Sequence, residues 1–223
     1  MKKTYVIGDV HGCYYTLKNL LSKLKENSEI IFVGDLCDRG LHSKEVIELI
    51  IQNNYKVILG NHDEYLIQHA IDSINGIDNR WTREDYMGGK ETIESYKDDM
   101  ETLNKHIEWL KTLPRYIMIE NYFISHGFGL PYFKRKDKKS SYEGLIKNRV
   151  QDEKDWGYEW EKNWENYEVI NIFGHTDYKK VEIGHNYYGI DTGCVYGRKL
   201  TAIELGSMEI IDEKCDVKDV KNV

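Results

Sequence analysis

The sequence predicts an α/β fold in which a mixed β-sandwich, made of two packed sheets, is flanked by helices. Apolar runs alternate with helical repeats in the first part of the chain, as in parallel strands joined by right-handed crossovers. Near the end, apolar runs follow one another through short turns, which makes the sheet a mixed one. With 223 residues, 40% of them hydrophobic, the chain can bury a substantial core as one domain over residues 1–223.

Six apolar runs have the length and composition of buried strands. They are TYVI at 4–7, IIFV at 30–33, KVIL at 56–59, YFIS at 122–125, INIF at 170–173 and YYGI at 187–190. A helical repeat follows each of the first three runs, namely YYTLKNLLSKLKE, SKEVIELIIQ and DEYLIQHAI. In the first repeat, the spacing of Leu17, Leu20, Leu21 and Leu24 places these side chains on one helix face. Near the C terminus, KLTAIEL and MEIID are further strand candidates.

The segment at about 132–168 interrupts this alternation, because it is charged, aromatic and poor in strand signal. We interpret it as an insertion within the single domain. Trp156, Trp160 and Trp164 recur every four residues, so they would share one face of a helix. We expect these rings to pack the segment onto the main body.

Composition excludes several classes of protein. A net charge of −7 lacks the basic surface that a sequence-independent nucleic-acid binder requires. No apolar run approaches the roughly 20 residues that cross a bilayer, so no membrane partner is expected. The four cysteines form no CxxC pair and no secretory leader precedes the first strand, which predicts a reduced, cytoplasmic location.

Polar side chains follow five of the predicted strands directly, in the motifs GDVHG, GDLCDRG, GNHD, HG and GHTD. Loops at the carboxyl ends of strands in α/β sheets project into a shared crevice, so these side chains are expected to converge there. The converging set is Asp9, His11, Asp35, Asp38, Arg39, Asn61, His62, His126 and His175.

Carboxylates crowded into a crevice repel one another unless cations are present. Imidazole nitrogens mixed with carboxylate and amide oxygens suit manganese, iron, zinc or cobalt better than calcium or magnesium. The set is large enough to hold two ions with one shared carboxylate. Paired ions of this kind activate a water and neutralise a phosphoryl group.

The order of these motifs resembles that of the metal-dependent phosphoprotein phosphatases, a family of the calcineurin-like metallophosphoesterase superfamily. The resemblance is strongest to the bacterial and bacteriophage-lambda-type serine/threonine phosphatases. MGGKETIESY at 87–96 and IDTGCVYGRKLTAIEL at 190–205 are also similar to that group, so the likeness covers nearly the whole chain.

The resemblance implies a role for each residue of the set. Asp9, His11 and the bridging Asp35 would hold the first divalent ion, and Asp35, Asn61, His126 and His175 the second. Manganese is the expected metal, with iron, zinc, cobalt or nickel as substitutes. A metal-activated water would attack phosphorus in line, His62 would protonate the leaving group, and Asp38 would orient His62. Arg39, Arg149 and Asn61 would bind the phosphate, and Asp63 would brace the turn.

The resemblance therefore implies a phosphomonoester hydrolase, with a serine/threonine protein phosphatase as the favoured type. Its substrate would be a phosphoprotein or a phosphorylated small molecule. The nearest alternative is a symmetrical dinucleoside polyphosphate hydrolase, because GDVHGCY, GNHD and DTGC also resemble diadenosine tetraphosphatases.

Two more distant alternatives are a cysteine-based phosphatase and a catalytically silent binding protein. A cysteine-based phosphatase would need an arginine six positions after a cysteine, and none of the four cysteines has one. The complete set of ligands and acid argues against a silent protein.

Overall fold

The computed structural model describes residues 2–97, 99–150 and 159–221 of the chain. Its strands are β1 (Thr4–Ile7), β2 (Glu29–Phe32), β3 (Lys56–Val57), β4 (Tyr116–Ile119), β5 (Tyr122–Ser125), β6 (Ile170–Phe173), β7 (Glu182–Ile183), β8 (Tyr187–Gly189), β9 (Lys199–Glu204) and β10 (Ile210–Lys214). Its α-helices are α1 (Tyr14–Lys23), α2 (Ser43–Gln52), α3 (Asn61–Ile74), α4 (Arg80–Arg83), α5 (Gly89–Tyr96), α6 (Met100–Leu110) and α7 (Tyr142–Lys147). Short 3-10 segments occur at Leu130–Arg135, Lys139–Ser141, Glu159–Asn166 and Cys194–Tyr196.

The first sheet has the strand order β10-β9-β1-β2-β3. Strands β1, β2 and β3 are parallel and are connected by α1 and α2, whereas β9 runs antiparallel to both β1 and β10. The predicted mixed sheet is therefore confirmed. Strand β3 is shorter than predicted, because the Leu59 N–H donates to the Pro114 carbonyl at 2.8 Å instead of pairing within the sheet.

The second sheet has the order β4-β5-β6-β8-β7. Strands β5, β6 and β8 are parallel, and the outer strands β4 and β7 pair antiparallel to their neighbours. Strands β4 and β7 were not predicted from the sequence. Strand β7 has only two residues, and β4 is half-buried throughout, so neither shows the burial pattern that marks a strand.

Three apolar clusters hold these layers together. Val6, Ile31, Ile124 and Ile172 belong to the cluster between the two sheets. A second cluster joins the other face of the first sheet to the helices, and it includes the predicted α1 side chains Leu17, Leu20 and Leu24. The third covers the outer face of the second sheet with aromatic rings. Each fully buried side chain of this size contributes about 1.5 to 3 kcal/mol relative to exposure.

The segment at 132–168 contains short helical turns and no strand in the parts that the structure describes. Trp164 is buried and packs edge-on against Phe128, with ring centroids 5.1 Å apart, as expected for a ring that fastens the segment to the body. Trp156 and the side chain of Trp160 lie outside the described residues. Among the described helices, none has the length and apolarity needed to cross a bilayer.

Candidate metal centre and active site

The polar motifs lie where strands end and turn sharply. Two glycines allow carboxylates to approach the backbone there. A Cβ atom on Gly174 would lie 1.9 Å from Asp9 Oδ1, and one on Gly60 would lie 2.2 Å from Asp35 Oδ1. Any larger residue at either position would displace a carboxylate of the site.

The backbone of the site is unusual, because several of its non-glycine residues adopt left-handed conformations. Each such residue costs roughly 1 to 2 kcal/mol relative to the right-handed region, and strain of this kind is concentrated at functional sites. The residues are His11 (φ 44°), Asp35 (φ 50°), Asp38 (φ 75°), Arg39 (φ 69°) and His175 (φ 64°).

Asp35 lies at the centre of the cluster, and its two oxygens face different histidines. Oδ1 is 3.2 Å from His126 Nε2, and Oδ2 is 3.6 Å from His11 Nε2. Oδ1 also accepts a hydrogen bond from the His62 backbone N–H at 2.9 Å. A carboxylate in this position can contribute one oxygen to each of two neighbouring ions.

Asn61 completes one side of this cluster. Its Oδ1 lies 3.1 Å from His126 Nε2 and 2.8 Å from His175 Nδ1. Two ligand atoms that each lie about 2.1 Å from a metal ion, with a right angle between the two metal–ligand bonds, are about 3 Å apart. The spacing of Asp35, His126, Asn61 and His175 therefore fits a shared divalent ion.

Backbone carbonyls orient two of the imidazoles. His11 Nδ1 donates to the Cys37 carbonyl at 2.7 Å, and His126 Nδ1 donates to the Val33 carbonyl at 2.8 Å. This bond fixes the tautomer, so the Nε2 lone pair points into the cluster. Metal-binding histidines in proteins are held in the same way.

The electrostatics of the cluster also fit cations. Burial lowers the pKa of His126, but the Asp35 and Asp9 carboxylates outweigh it and raise that pKa to about 10. Burial, followed by the charge of His126, lowers the pKa of His175 to about 3. Burial and the nearby Asp191 raise the pKa of Asp9 well above its usual range. Divalent cations would stabilise the ionised carboxylates and the neutral imidazoles together.

Asp9 contacts the backbone of His175, and Arg39 contacts the ring of His11. The Asp9 oxygens accept from the His175 backbone N–H at 3.0 and 3.2 Å. Arg39 Nη1 lies 2.6 Å from His11 Nε2 and uses the lone pair that the first ion would need. Because one lone pair cannot serve both partners, an ion at His11 requires the guanidinium to move away.

His62 and Asp38 form a buried pair beside the cluster. His62 Nδ1 is 2.6 Å from Asp38 Oδ2. The same carboxylate accepts from Trp81 Nε1 at 2.7 Å and from the Thr92 hydroxyl at 2.7 Å. These bonds hold the carboxylate rigidly, so its direction toward His62 is fixed.

Three residues of the site were not predicted from the sequence, namely Trp81, Thr92 and Asp191. Trp81 lies in no motif and is far from Asp38 along the chain. Thr92 and Asp191 lie in the stretches at 87–96 and 190–205 that carried the family resemblance, so that resemblance was the available signal for them.

Asp63 braces the turn, as expected. Its carboxylate accepts from the backbone N–H groups of Asp35, Leu36 and Gly60 at 2.9, 2.9 and 3.0 Å. Burial, followed by the Asp35 charge, raises its pKa to about 6. The brace therefore links the start of α3 to the loop that presents Asp35.

A cleft of about 530 Å³ opens from the cluster to the surface. Arg149 is exposed and lines this cleft, and its charge helps to lower the pKa of His175. Other basic and aromatic side chains of the lining are Arg39, Arg80, Lys147, Tyr65 and Tyr86. The walls are thus cationic although the whole chain is acidic.

Comparison with known proteins agrees with this geometry. The pattern that defines calcineurin-like phosphoesterases matches residues 2–205, so the chain belongs to that family of metal-dependent hydrolases. A relative from Oceanobacillus iheyensis is 30% identical over 94% of this chain and 91% of its own length. That protein is named Bis(5'-nucleosyl)-tetraphosphatase PrpE [asymmetrical].

Solved structures share the fold. A crystal structure provisionally named as a diadenosine tetraphosphatase has a TM-score of 0.70 and 23% identity, and the match covers 97% of this chain and 95% of that one. A serine/threonine phosphatase from Saccharomyces cerevisiae has a TM-score of 0.61 and 17% identity, and the match covers 100% of this chain and 81% of the yeast chain.

Proposed function

We propose that this metallophosphoesterase hydrolyses dinucleoside tetraphosphates asymmetrically, releasing a nucleoside triphosphate and a nucleoside monophosphate. The observation that carries the proposal is the cationic cleft, where Arg39, Arg80, Lys147 and Arg149 line one cavity beside the metal-ligand cluster. A site that binds a single phosphoserine needs fewer positively charged side chains than a site that binds a chain of four phosphates. Relatives that are 28% and 30% identical to this chain are named for the same reaction.

Protein phosphatase activity, which the sequence favoured, is the second candidate. The buried His62–Asp38 pair supports it, because a serine alkoxide is a poor leaving group and depends on a proton donor. The symmetrical mode is a further alternative from the sequence, and it differs in giving two nucleoside diphosphates.

We assign the metal-binding roles as the family resemblance implies. Asp9, His11 and Asp35 would hold one ion, and Asp35, Asn61, His126 and His175 would hold the other. Bound there, two divalent ions supply an activated water and neutralise charge on the phosphoryl group. Manganese is our preferred metal, because the donors mix imidazole nitrogen with carboxylate and amide oxygen.

The remaining residues bind and orient the phosphate chain. Arg39 Nη2 donates to His62 Nε2 at 2.8 Å, so a phosphate that draws Arg39 away would free this nitrogen to take up a proton and transfer it to the leaving oxygen. Asp38 would keep the His62 ring in position and stabilise its charged form. Arg149, which lines the same cleft, would also bind the phosphate, and Asn61 would add an amide donor.

Product analysis tests this proposal. Manganese-loaded protein is incubated with diadenosine tetraphosphate and, separately, with a phosphoserine peptide, and the products are separated by anion-exchange chromatography. We expect ATP and AMP in equal amounts, at a higher kcat/KM than phosphate release from the peptide. ADP as the sole nucleotide product would contradict the asymmetrical mode, and faster peptide cleavage would favour the protein phosphatase.

Two broader expectations remain proposals. We propose that residues 1–223 form one domain, with 132–168 as an insertion. We also propose a cytoplasmic location, for which the support is that all four cysteines, each of them described, are free thiols.

A further inference from the structure

Three of the four cysteines meet in one place, away from the cleft. The sulfurs of Cys13, Cys194 and Cys215 all lie within 4.8 Å of one another. The three side chains are buried, with relative exposures of 0%, 1% and 8%. They come from separate parts of the chain, namely the start of α1, the turn before β9 and the stretch after β10.

We propose that Cys13, Cys194 and Cys215 form a thiolate site for one soft d10 cation, either Zn²⁺ or Cu⁺. Three sulfurs at about 2.3 Å from such an ion lie about 3.8 Å apart, so the observed cluster needs only small side-chain shifts to bind it. Thiolates select zinc and monovalent copper, whereas manganese prefers oxygen and nitrogen. The site is therefore chemically distinct from the cluster around Asp35.

The surroundings leave the sulfurs as the available donors. Asp219, the nearby buried carboxylate, already accepts from the Tyr15 and Thr16 backbone N–H groups and from the Thr16 hydroxyl, at 2.9, 2.8 and 2.6 Å. Hydrogen bonds from the Cys13 and Cys194 thiols lower the pKa of Cys215 below its ordinary value. Cys215 is thus the sulfur best suited to carry negative charge, whereas hydrogen bonds to Cys194 and Cys215, followed by burial, raise the pKa of Cys13, whose proton a bound cation would displace.

An ion at this position would connect segments that support the proposed active site. Cys13 follows His11 by two residues, and its sulfur lies 3.7 Å from the His11 carbonyl oxygen. Cys194 follows Asp191 by three residues, in the turn whose Gly193 N–H donates to Asp191 at 2.9 Å. Cys215 belongs to the C-terminal stretch. We therefore expect a structural ion that raises the melting temperature.

Cobalt is the probe for this site, because sulfur-to-cobalt charge transfer produces a near-ultraviolet band that nitrogen and oxygen ligands do not. Reduced, manganese-loaded protein is titrated with Co²⁺, and the final intensity of the band is expected to correspond to one sulfur-bound cobalt per chain. Zn²⁺ and Cu⁺ are then added separately, and the ion that abolishes the band at the lower free concentration is assigned as the preferred one.

Cys13→Ser, Cys194→Ser and Cys215→Ser are each expected to weaken cobalt binding at least tenfold. The matched control is Cys37→Ser, because Cys37 is equally buried but its sulfur lies 3.7 Å from Asp63, outside the trio. If the two more deeply buried variants fail to fold, Cys215→Ser decides the question. Absence of the band in wild-type protein, its survival in Cys215→Ser, or its loss in Cys37→Ser with the fold intact would overturn the proposal.

Discussion

Among the histidines around Asp35, His62 differs in its partners. Its Nδ1 faces the Asp38 carboxylate, whereas His11 and His126 each donate through Nδ1 to a backbone carbonyl. A carboxylate stabilises the charged imidazolium more than a carbonyl does, which suits a proton donor. The backbone carbonyls suit neutral metal ligands.

We expect His62→Asn to lower kcat on a phosphoserine peptide by roughly 10² to 10⁴, the usual contribution of a general acid. The loss on diadenosine tetraphosphate should be smaller, because a phosphate oxygen with a pKa of about 6 leaves more readily than an alkoxide. Bound metal should stay unchanged. Steady-state kinetics and elemental analysis measure both effects.

His185→Asn is the control for this substitution, since His185 is exposed and lies outside the cluster. Equal losses on both substrates, or full activity of His62→Asn on the peptide, would show that His62 is not the proton donor.

The individual motifs predicted the residues around Asp35, because each motif directly follows the strand that positions its side chains. They did not predict the partners of Asp38. Trp81 and Thr92 reach this carboxylate from α4 and α5, and their contacts depend on how these helices pack. Local sequence has no signal for such long-range hydrogen bonds.

At the scale of elements, α4 places one arginine in the cleft and another outside it. Arg80 lines the cleft and donates to the Tyr86 hydroxyl through Nε at 3.0 Å, whereas Arg83 pairs with Asp78 at 2.6 Å. We expect a polyphosphate chain that extends along the cleft to reach Arg80, and a single phosphate held at the Asp35 cluster to bind without it.

We therefore expect Arg80→Ala to raise KM for diadenosine tetraphosphate about tenfold, the equivalent of one charge-assisted contact, with little change in kcat. KM for the phosphoserine peptide should stay the same. Arg83→Ala serves as the matched control on the same helix. A KM for the nucleotide that is identical in Arg80→Ala and Arg83→Ala would exclude Arg80 from substrate binding.

His106 connects three helices, because it hydrogen-bonds the Tyr96 hydroxyl at 2.7 Å and Glu48 at 2.9 Å. Burial lowers its pKa below 6.5, and Lys44 adds to this, whereas Glu48 and Asp99 oppose it. Near pH 6 the unfolded chain consequently binds a proton at this position more readily than the folded chain does. Stability from this residue is present above about pH 6.5 and is lost on acidification.

His106→Gln is expected to flatten the dependence of unfolding free energy on pH between about 5 and 7. Urea unfolding at several pH values measures the slope, with the exposed His185→Gln as the comparison. Parallel curves for wild type and His106→Gln would contradict the linkage.

At the scale of the whole molecule, the mixed sandwich was predictable because its central strands are continuous apolar runs. The exact bounds of β1, β5 and β6 follow from the sequence for this reason. The edge strands β4 and β7 of the second sheet were not predictable, since each is defined by its neighbour more than by its own residues. Composition did not predict the cationic cleft, because the net charge of −7 is a sum over the whole chain and does not show how the charges are distributed on the surface.

Loops at the ends of strands in both sheets supply ligands around Asp35, so the number of bound ions is the decisive property of the proposed metal centre. The chain is stripped with a chelator, reloaded with Mn²⁺, and its manganese content is measured by elemental analysis beside that of Asp35→Asn, which keeps only one carbonyl oxygen at that position. We predict two ions per wild-type chain, at most one in the variant, and hydrolysis of diadenosine tetraphosphate only in the reloaded wild type. Undiminished hydrolysis by the stripped protein, or two ions retained by Asp35→Asn, would contradict a centre bridged by this carboxylate.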